Sequence, residues 1–376
     1  MYVITKTNLQ KFEPQLTIIQ NKNTNTKMQN IHNCLEKIID PDLGQTFASM
    51  NAIKSIKEEN TQIFIELELP PPITYLKNDF LKIFEKTFAP DIYSKIDLTI
   101  TENPTVQKRK QAKLSKVKHI IAVSSGKGGV GKSTIAANIA TELAFQGAKV
   151  GILDSDIYGP SQTIMFGVEN EVMEAETDQH GNTVAFPVEK YGVKIASIGF
   201  VMNRDDAAAL RGPMLARVFS LFFEQIEWGE LDYLIFDLPP GTGDIHLTFI
   251  QQMQPDGVVL VTTPQDISLA DVRRGADLFK RLGVNILGII ENMSYFIPPD
   301  APDKKYYIFG QDGGKKIAVE LGLSVLGEIP FSIMMREDSD SGKPIVLSDT
   351  GSFQKQILKD ITANIVSELR RKQHNY

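Results

Sequence analysis

The chain has 376 residues, of which 42% are hydrophobic and 23% charged, with a formal net charge of −6. That length predicts two domains, the composition argues against a mostly disordered or fibrous protein, and the acidic balance argues against a dedicated nucleic-acid binder, which needs a basic face. Cys34 is the single cysteine, so no intramolecular disulfide forms; with no apolar run of signal-peptide or bilayer-spanning length, a cytoplasmic protein without stable membrane association is expected.

Residues 1–27 are largely polar, and Asn21-Lys22-Asn23-Thr24-Asn25-Thr26-Lys27 carries neither a helical nor a strand period. A disordered extension is expected there, with Met28 as a second candidate start. Residues 28–102 read as a small α/β domain. Its elements are a helix through Cys34–Ile39, a turn at Asp40-Pro41-Asp42-Leu43-Gly44, a strand over 61–69, an amphipathic helix over 76–88 and a closing strand over 96–100. Residues 103–117 open at Asn103-Pro104 and carry Lys108, Arg109, Lys110, Lys113 and Lys116, which predicts a solvated basic linker rather than a polybasic contact with RNA or lipid.

From 118 to 376, apolar strands alternate with helical patterns. Strands are expected at 119–124, 149–154, 233–236, 257–261 and 286–290, and a helix at 133–145. Such alternation predicts an α/β fold, a doubly wound and mostly parallel sheet with helices on both faces.

Between the first of these strands and its helix lies Gly126-Lys127-Gly128-Gly129-Val130-Gly131-Lys132-Ser133, which satisfies the phosphate-loop pattern G-x-x-x-x-G-K-[ST] in the strand-to-helix context that pattern requires. Glycines permit the tight curl, backbone amides face phosphate, Lys132 reaches the β/γ oxygens and Ser133 ligates Mg²⁺. ATP and Mg²⁺ are therefore the expected cofactors, with Gly126 through Ser133 and the following Thr134 as the nucleotide-binding segment. Lys127 is a second lysine where the loop does not require one. Either it is a solvent-facing loop residue or it acts in catalysis.

Two acidic segments follow. In Leu153-Asp154-Ser155-Asp156-Ile157-Tyr158-Gly159-Pro160-Ser161, Asp156 is the preferred water-positioning residue with Asp154 in support; the alternative is an Asp-rich turn that caps a helix. In Tyr233-Leu234-Ile235-Phe236-Asp237-Leu238-Pro239-Pro240-Gly241-Thr242-Gly243-Asp244, an apolar strand ends in Asp237, which fits an acid that holds Mg²⁺. The Pro/Gly run after it fits a switch that senses the γ-phosphate.

The loop with its extra lysine resembles the MinD/ParA/nitrogenase iron-protein class. There a lysine at the position of Lys127 crosses a dimer interface to the partner's nucleotide, which implies a homodimer. More narrowly, the chain from about residue 118 resembles the Mrp/ApbC family of iron-sulfur cluster carrier ATPases. The resemblance rests on Asp237-Leu238-Pro239-Pro240-Gly241-Thr242-Gly243-Asp244, Arg211-Gly212-Pro213-Met214, Trp228-Gly229-Glu230-Leu231-Asp232, Thr263-Pro264-Gln265-Asp266 and Glu291-Asn292-Met293-Ser294. It implies that Asn292 reads the adenine edge, and that ATP hydrolysis is coupled to delivery of iron-sulfur clusters to apoproteins. The segment around Asp40-Pro41-Asp42-Leu43-Gly44 resembles the small α/β domain often fused in front of such ATPases.

One departure stands out. The family usually carries C-x-x-C shortly after Asn-Met-Ser, whereas here Ile297-Pro298-Pro299-Asp300-Ala301-Pro302-Asp303 contains no cysteine. Cys34 supplies one thiol per chain and suits a small packed residue, and the five histidines show no ligand spacing. Iron-sulfur ligands are thus not assigned. The alternatives are a ParA/MinD-type positioning ATPase or a nucleotide-gated adaptor without its own cluster. For the former, the stripe Phe353, Ile357, Ile361, Ile365 and Leu369 before Arg370-Arg371-Lys372 would be a membrane-targeting helix; a helix closing over the sheet is the expected reading.

Overall fold

A computed structural model describes residues 24–103, 112–157, 159–201, 212–241, 243–298, 300–348 and 353–374. They fall into two compact units, one formed by the chain up to residue 106 together with Arg370 onward, the other by residues 107–369.

In the first unit, β1 (Ile53–Glu59), β2 (Gln62–Leu69) and β3 (Ile96–Glu102) form a sheet in that order, β1 antiparallel and β3 parallel to β2. Ile63, Ile65, Leu67 and Leu69 of β2 are all buried, as a period of two demands of a strand with one covered face. Helix α1 (Thr24–Glu36) begins inside the segment expected to lack structure and ends three residues before the expected Ile39, because Ile39 bridges to Thr46 instead. Residues 1–23 of the expected extension and 104–111 of the expected linker lie outside the described residues. Helices α2 (Lys77–Thr87) and α3 (Pro90–Tyr93) follow β2, and α2 brings Phe80 and Phe84 against Phe47 at ring-centroid distances of 6.3 and 6.2 Å.

The Asp40–Gly44 turn has a physical reason. Asp40 Oδ1 accepts the backbone N–H groups of Asp42 and Leu43, both at 3.0 Å, and its carboxylate meets the guanidinium of Arg370 at 2.7 and 2.5 Å. Arg370 also donates through Nε to Pro70 O at 2.9 Å, and neither Asp40 nor Arg370 is exposed to solvent.

In the second unit the strands are β4 (Val117–Ser125), β5 (Val150–Asp154), the small hairpin β6 (Ala175–Thr177) and β7 (Thr183–Ala185), β8 (Val188–Lys190), β9 (Val193–Ser197), β10 (Leu231–Asp237), β11 (Gly257–Thr262), β12 (Ile286–Glu291) and β13 (Val325–Glu328). Outside the hairpin they build one eight-stranded sheet in the order β13-β12-β11-β4-β10-β5-β9-β8, parallel throughout except for β8 against β9. Every residue of β5, β11 and β12 is buried, the mark of parallel strands covered on both faces. The doubly wound α/β expectation is met. The closing helix Phe353–His374 buries Leu358, Ile361, Ile365 and Leu369, whereas Phe353 at its start is exposed.

Strand order reverses about β4, whose neighbours are β10 and β11. Sites in such sheets form where the order reverses, beyond the carboxyl ends of the strands. Register makes this concrete, since Asp237 lies opposite Val123 on one side and Asp154 on the other.

Candidate functional site

Beyond Ser125 the chain curls through residues 126–131 and enters α4 (Lys132–Phe145). Gly131 caps this helix with φ +82°, and a Cβ there would lie 2.3 Å from the Asn292 side-chain nitrogen. Glycine is required on both counts. At Gly126 a Cβ would lie 2.1 Å from Asp271 Cβ and 2.6 Å from its carbonyl carbon, on the helix Asp266–Arg281. Backbone cannot yield as a flexible side-chain tip does, so Gly126→Ala is expected to destabilise the second unit by about 1–3 kcal/mol and weaken nucleotide binding. Thermal unfolding and equilibrium titration with a fluorescent nucleotide check this; an unchanged melting point would mean that the helix moves aside freely.

The structure brings Lys132, Ser133 and Asp237 together. Lys132 Nζ donates to Ser133 Oγ at 3.1 Å and to Asp237 Oδ1, in an ion pair whose two side chains are 6% and 0% exposed. Asp237 Oδ2 is held separately, by Gln162 Nε2 at 2.7 Å. Gln162 opens α5 (Gln162–Met165), is fully buried, and also donates to Ser133 O at 3.0 Å. A hydroxyl and a carboxylate are hard oxygen donors of the kind Mg²⁺ takes, and the glycine loop before a helix N-terminus suits phosphate. The residues present therefore fit a magnesium nucleotide: Ser133 and Asp237 for the metal, the loop amides and Lys132 for the phosphates.

The acidic turn after β5 divides into two roles. Asp154 is buried and accepts from Ser161 N, Gln162 N and Ser197 Oγ, each at 3.0 Å, and from Asp156 N at 3.1 Å. Burial first, and the Asp237 carboxylate second, push its pKa up to about 7. These bonds tie the turn after β5 to the start of α5. Asp156 is half-buried and accepts from Gly159 N at 3.2 Å. Tyr158 of this turn, Thr242 of the Pro/Gly run and Arg211 lie outside the described residues.

Lys127 is half-buried, and its Nζ donates to Gln265 Oε1 at 3.1 Å, a neutral amide rather than a carboxylate. Asn292 is buried at the end of β12 and donates through Nδ2 to Val130 O at 2.8 Å, so it supports the loop backbone directly. Past Asp237, Gly241 N donates to Ser125 O at 3.0 Å, and buried His246 Nε2 contacts Pro239 O at 2.9 Å. Burial lowers the His246 pKa, which favours a neutral imidazole whose Nε2–H donates to that carbonyl.

Sequence reasoning missed Gln162 and His246. Each lies a short step beyond a motif, and neither has a spacing that advertises it. In place of the C-x-x-C segment, Phe296 and Tyr306 pair as an antiparallel bridge that closes a loop, of which Pro299 lies outside the described residues. Among the described residues no group of three or more His, Cys, Asp or Glu is placed to hold a metal ion, and no helix is long and apolar enough to cross a membrane.

Comparison with known proteins places this geometry. The family model described as ParA: NUBPL iron-transfer P-loop NTPase matches residues 116–366. An iron-sulfur cluster carrier protein of Synechocystis sp. is 41% identical over 339 residues, 89% of this chain and 96% of that one. The iron-sulfur cluster transfer protein NUBPL of Dictyostelium discoideum is 45% identical over 253 residues, 67% of this chain and 77% of its own. Among solved structures, a nucleotide-binding protein in complex with ADP from Archaeoglobus fulgidus superposes with a TM-score of 0.54 at 37% identity, covering 64% of this chain and 94% of that one.

Proposed function

The chain belongs to the ParA-type family of NUBPL iron-transfer P-loop NTPases, and from that membership we propose that it binds ATP with Mg²⁺, hydrolyses it, and carries iron-sulfur clusters to apoproteins. The observation that carries the nucleotide half is the convergence of Lys132 and Ser133, at the start of α4, with Asp237 at the end of β10. Phosphoryl transfer needs positioning and charge neutralisation more than covalent chemistry. Here the loop amides hold the phosphates, Lys132 moves from Asp237 to their oxygens, and Asp156 orients the attacking water. Ser133 and Asp237 would hold Mg²⁺, which would supply charge neutralisation at the phosphates. Asn292 steadies the loop through Val130 and offers its remaining amide atoms to the adenine edge.

The active unit in this reading is a homodimer in the cytoplasm, with Lys127 acting across the interface on the partner's nucleotide. Its tie to the neutral Gln265 amide is easily exchanged for phosphate oxygen, which would be a much stronger partner. Lys127→Ala is accordingly expected to lower ATP turnover at least about tenfold, as loss of a cation at the transferring phosphoryl group does, with little change in melting temperature. An unchanged steady-state rate would remove the cross-subunit role.

Cluster carriage is supported by the relatives' names and by family membership, with ligands other than the usual cysteines. Burial raises the Cys34 pKa, which makes that thiol a poorer source of thiolate than a free cysteine. The cluster would then be held through oxygen or nitrogen ligands, by a partner, or in passing. Anaerobic reconstitution with iron and sulfide counts, followed by maturation of an apoprotein, tests this. A stoichiometric cluster that activates the apoprotein is expected; maturation without a bound cluster would favour the adaptor reading, and neither a cluster nor maturation would sink cluster carriage.

A further inference from the structure

Gln162 sits where three parts of the site meet. Its backbone N–H is held by Asp154 Oδ2 at 3.0 Å, and its side-chain nitrogen donates to Ser133 O at 3.0 Å and to Asp237 Oδ2 at 2.7 Å. Both side-chain neighbours are pure acceptors, so the amide orientation is fixed by chemistry, with nitrogen toward them and oxygen away. That oxygen, Oε1, is buried without a hydrogen-bond partner among the described residues. A buried amide oxygen left unpaired costs free energy, and a native site tolerates it where a donor arrives with a ligand.

The division of labour at Asp237 gives the arrangement its meaning. Lys132 occupies Oδ1 and Gln162 occupies Oδ2. When Lys132 turns to phosphate, Oδ1 is released, but Oδ2 stays tethered and the carboxylate keeps its plane. The tether also joins Asp237 to the main chain of Ser133, the other oxygen donor suited to the metal.

We propose that Gln162 is a positioning residue for the magnesium site: Nε2 fixes the Asp237 carboxylate against the Ser133 backbone, and Oε1 accepts a hydrogen bond from a water of the hydrated cation. Groups behind metal ligands act in this way, and their loss typically lowers metal affinity by about 10–100-fold. The assignment rests on the nucleotide reading above, and the test separates the two.

Gln162→Met keeps the volume and removes both amide functions. ADP binding to the full chain is measured by calorimetry in EDTA and across a Mg²⁺ series. Wild type is expected to bind ADP more tightly as Mg²⁺ rises. The variant is expected to match it within about twofold in EDTA and to need at least about tenfold more Mg²⁺ for the same gain. Equal Mg²⁺ dependence in the two proteins, or a loss of ADP affinity of the same size with and without Mg²⁺, would overturn the assignment and leave Gln162 a packing strut. No ADP binding by wild type would overturn the nucleotide reading and this one together. If the Gln162→Met chain does not fold, Gln162→Asn, which keeps the amide on a stem one methylene shorter, carries the same measurement; a smaller shift confined to the Mg²⁺ series is expected, and none would overturn the proposal.

Discussion

Replacing Lys132 by alanine is expected to lower nucleoside triphosphate turnover by at least about a hundredfold, since a positioned cation at the transferring phosphoryl group is worth that much or more. The same substitution has a second consequence that the loop motif alone would not suggest. Lys132 is the buried counter-ion of Asp237, and both side chains are almost wholly shielded from water. Taking away one member of such a pair leaves an uncompensated charge and costs about 3 kcal/mol or more. Lost activity in Lys132→Ala would therefore mix a chemical defect with a folding defect.

A double variant separates them. Lys132→Ala with Asp237→Asn removes the charge that the first substitution strands, and the new side-chain amide can still accept from Gln162 through its oxygen. The melting temperature of the double variant is expected to recover most of what Lys132→Ala loses, while turnover stays at background because both the phosphate cation and the metal carboxylate are gone. Thermal unfolding beside phosphate-release kinetics reads both quantities. If the single variant were as stable as wild type, the ion pair would contribute nothing net, and Asp237 would be satisfied by Gln162 alone.

Much of this site was legible in the sequence because its chemistry is local. The curl from Gly126 to Ser133 sits in one contiguous stretch, and Asp237 ends an apolar strand, so pattern and context pointed to the same place. Five strands of the eight-stranded sheet, β4, β5, β10, β11 and β12, were legible for a similar reason, since strands buried on both faces read as unbroken apolar runs; β8, β9 and β13, short and with polar residues among the apolar ones, were not. Nor was β1, because Ile53–Glu59 has only two apolar residues, Ile53 and Ile56, among lysines, glutamates and a serine at a sheet edge. Gln162 was invisible because its role depends on β5 and β10 being neighbours, a pairing across more than seventy residues that no local pattern encodes.

Arg370 is the sharpest case of that limit. Next to Arg371 and Lys372 it reads as the polar end of an amphipathic helix, yet its side chain is 0% exposed, with its guanidinium shared among Asp40, Asp42 and the carbonyl of Pro70. Nothing local could reveal a partner some 330 residues away. Arg370→Met is expected to destabilise the first unit by about 3–5 kcal/mol, because Asp40 stays buried with its charge uncompensated. The two backbone N–H groups that Asp40 accepts in its turn offset only part of that loss. Arg371→Met, one residue on and a quarter exposed, is expected to cost less than Arg370→Met, because its contact with the Asp42 carboxylate is long, 3.7 Å, and Arg370 still meets that carboxylate at 3.3 Å. Hydrogen exchange resolved by segment makes the comparison within one protein: protection in β1, β2 and β3 should fall in Arg370→Met, while β4, β10 and β11 exchange as in wild type. Equal protection in the Arg370 and Arg371 variants would mean that the buried pair holds the turn no better than a surface contact would. Restoring charge balance with Asp40→Asn in the Arg370→Met background then isolates the electrostatic part, since the asparagine oxygen can still accept from Asp42 and Leu43. The double variant should regain stability over the single one if the stranded carboxylate, rather than lost packing, is what Arg370→Met costs.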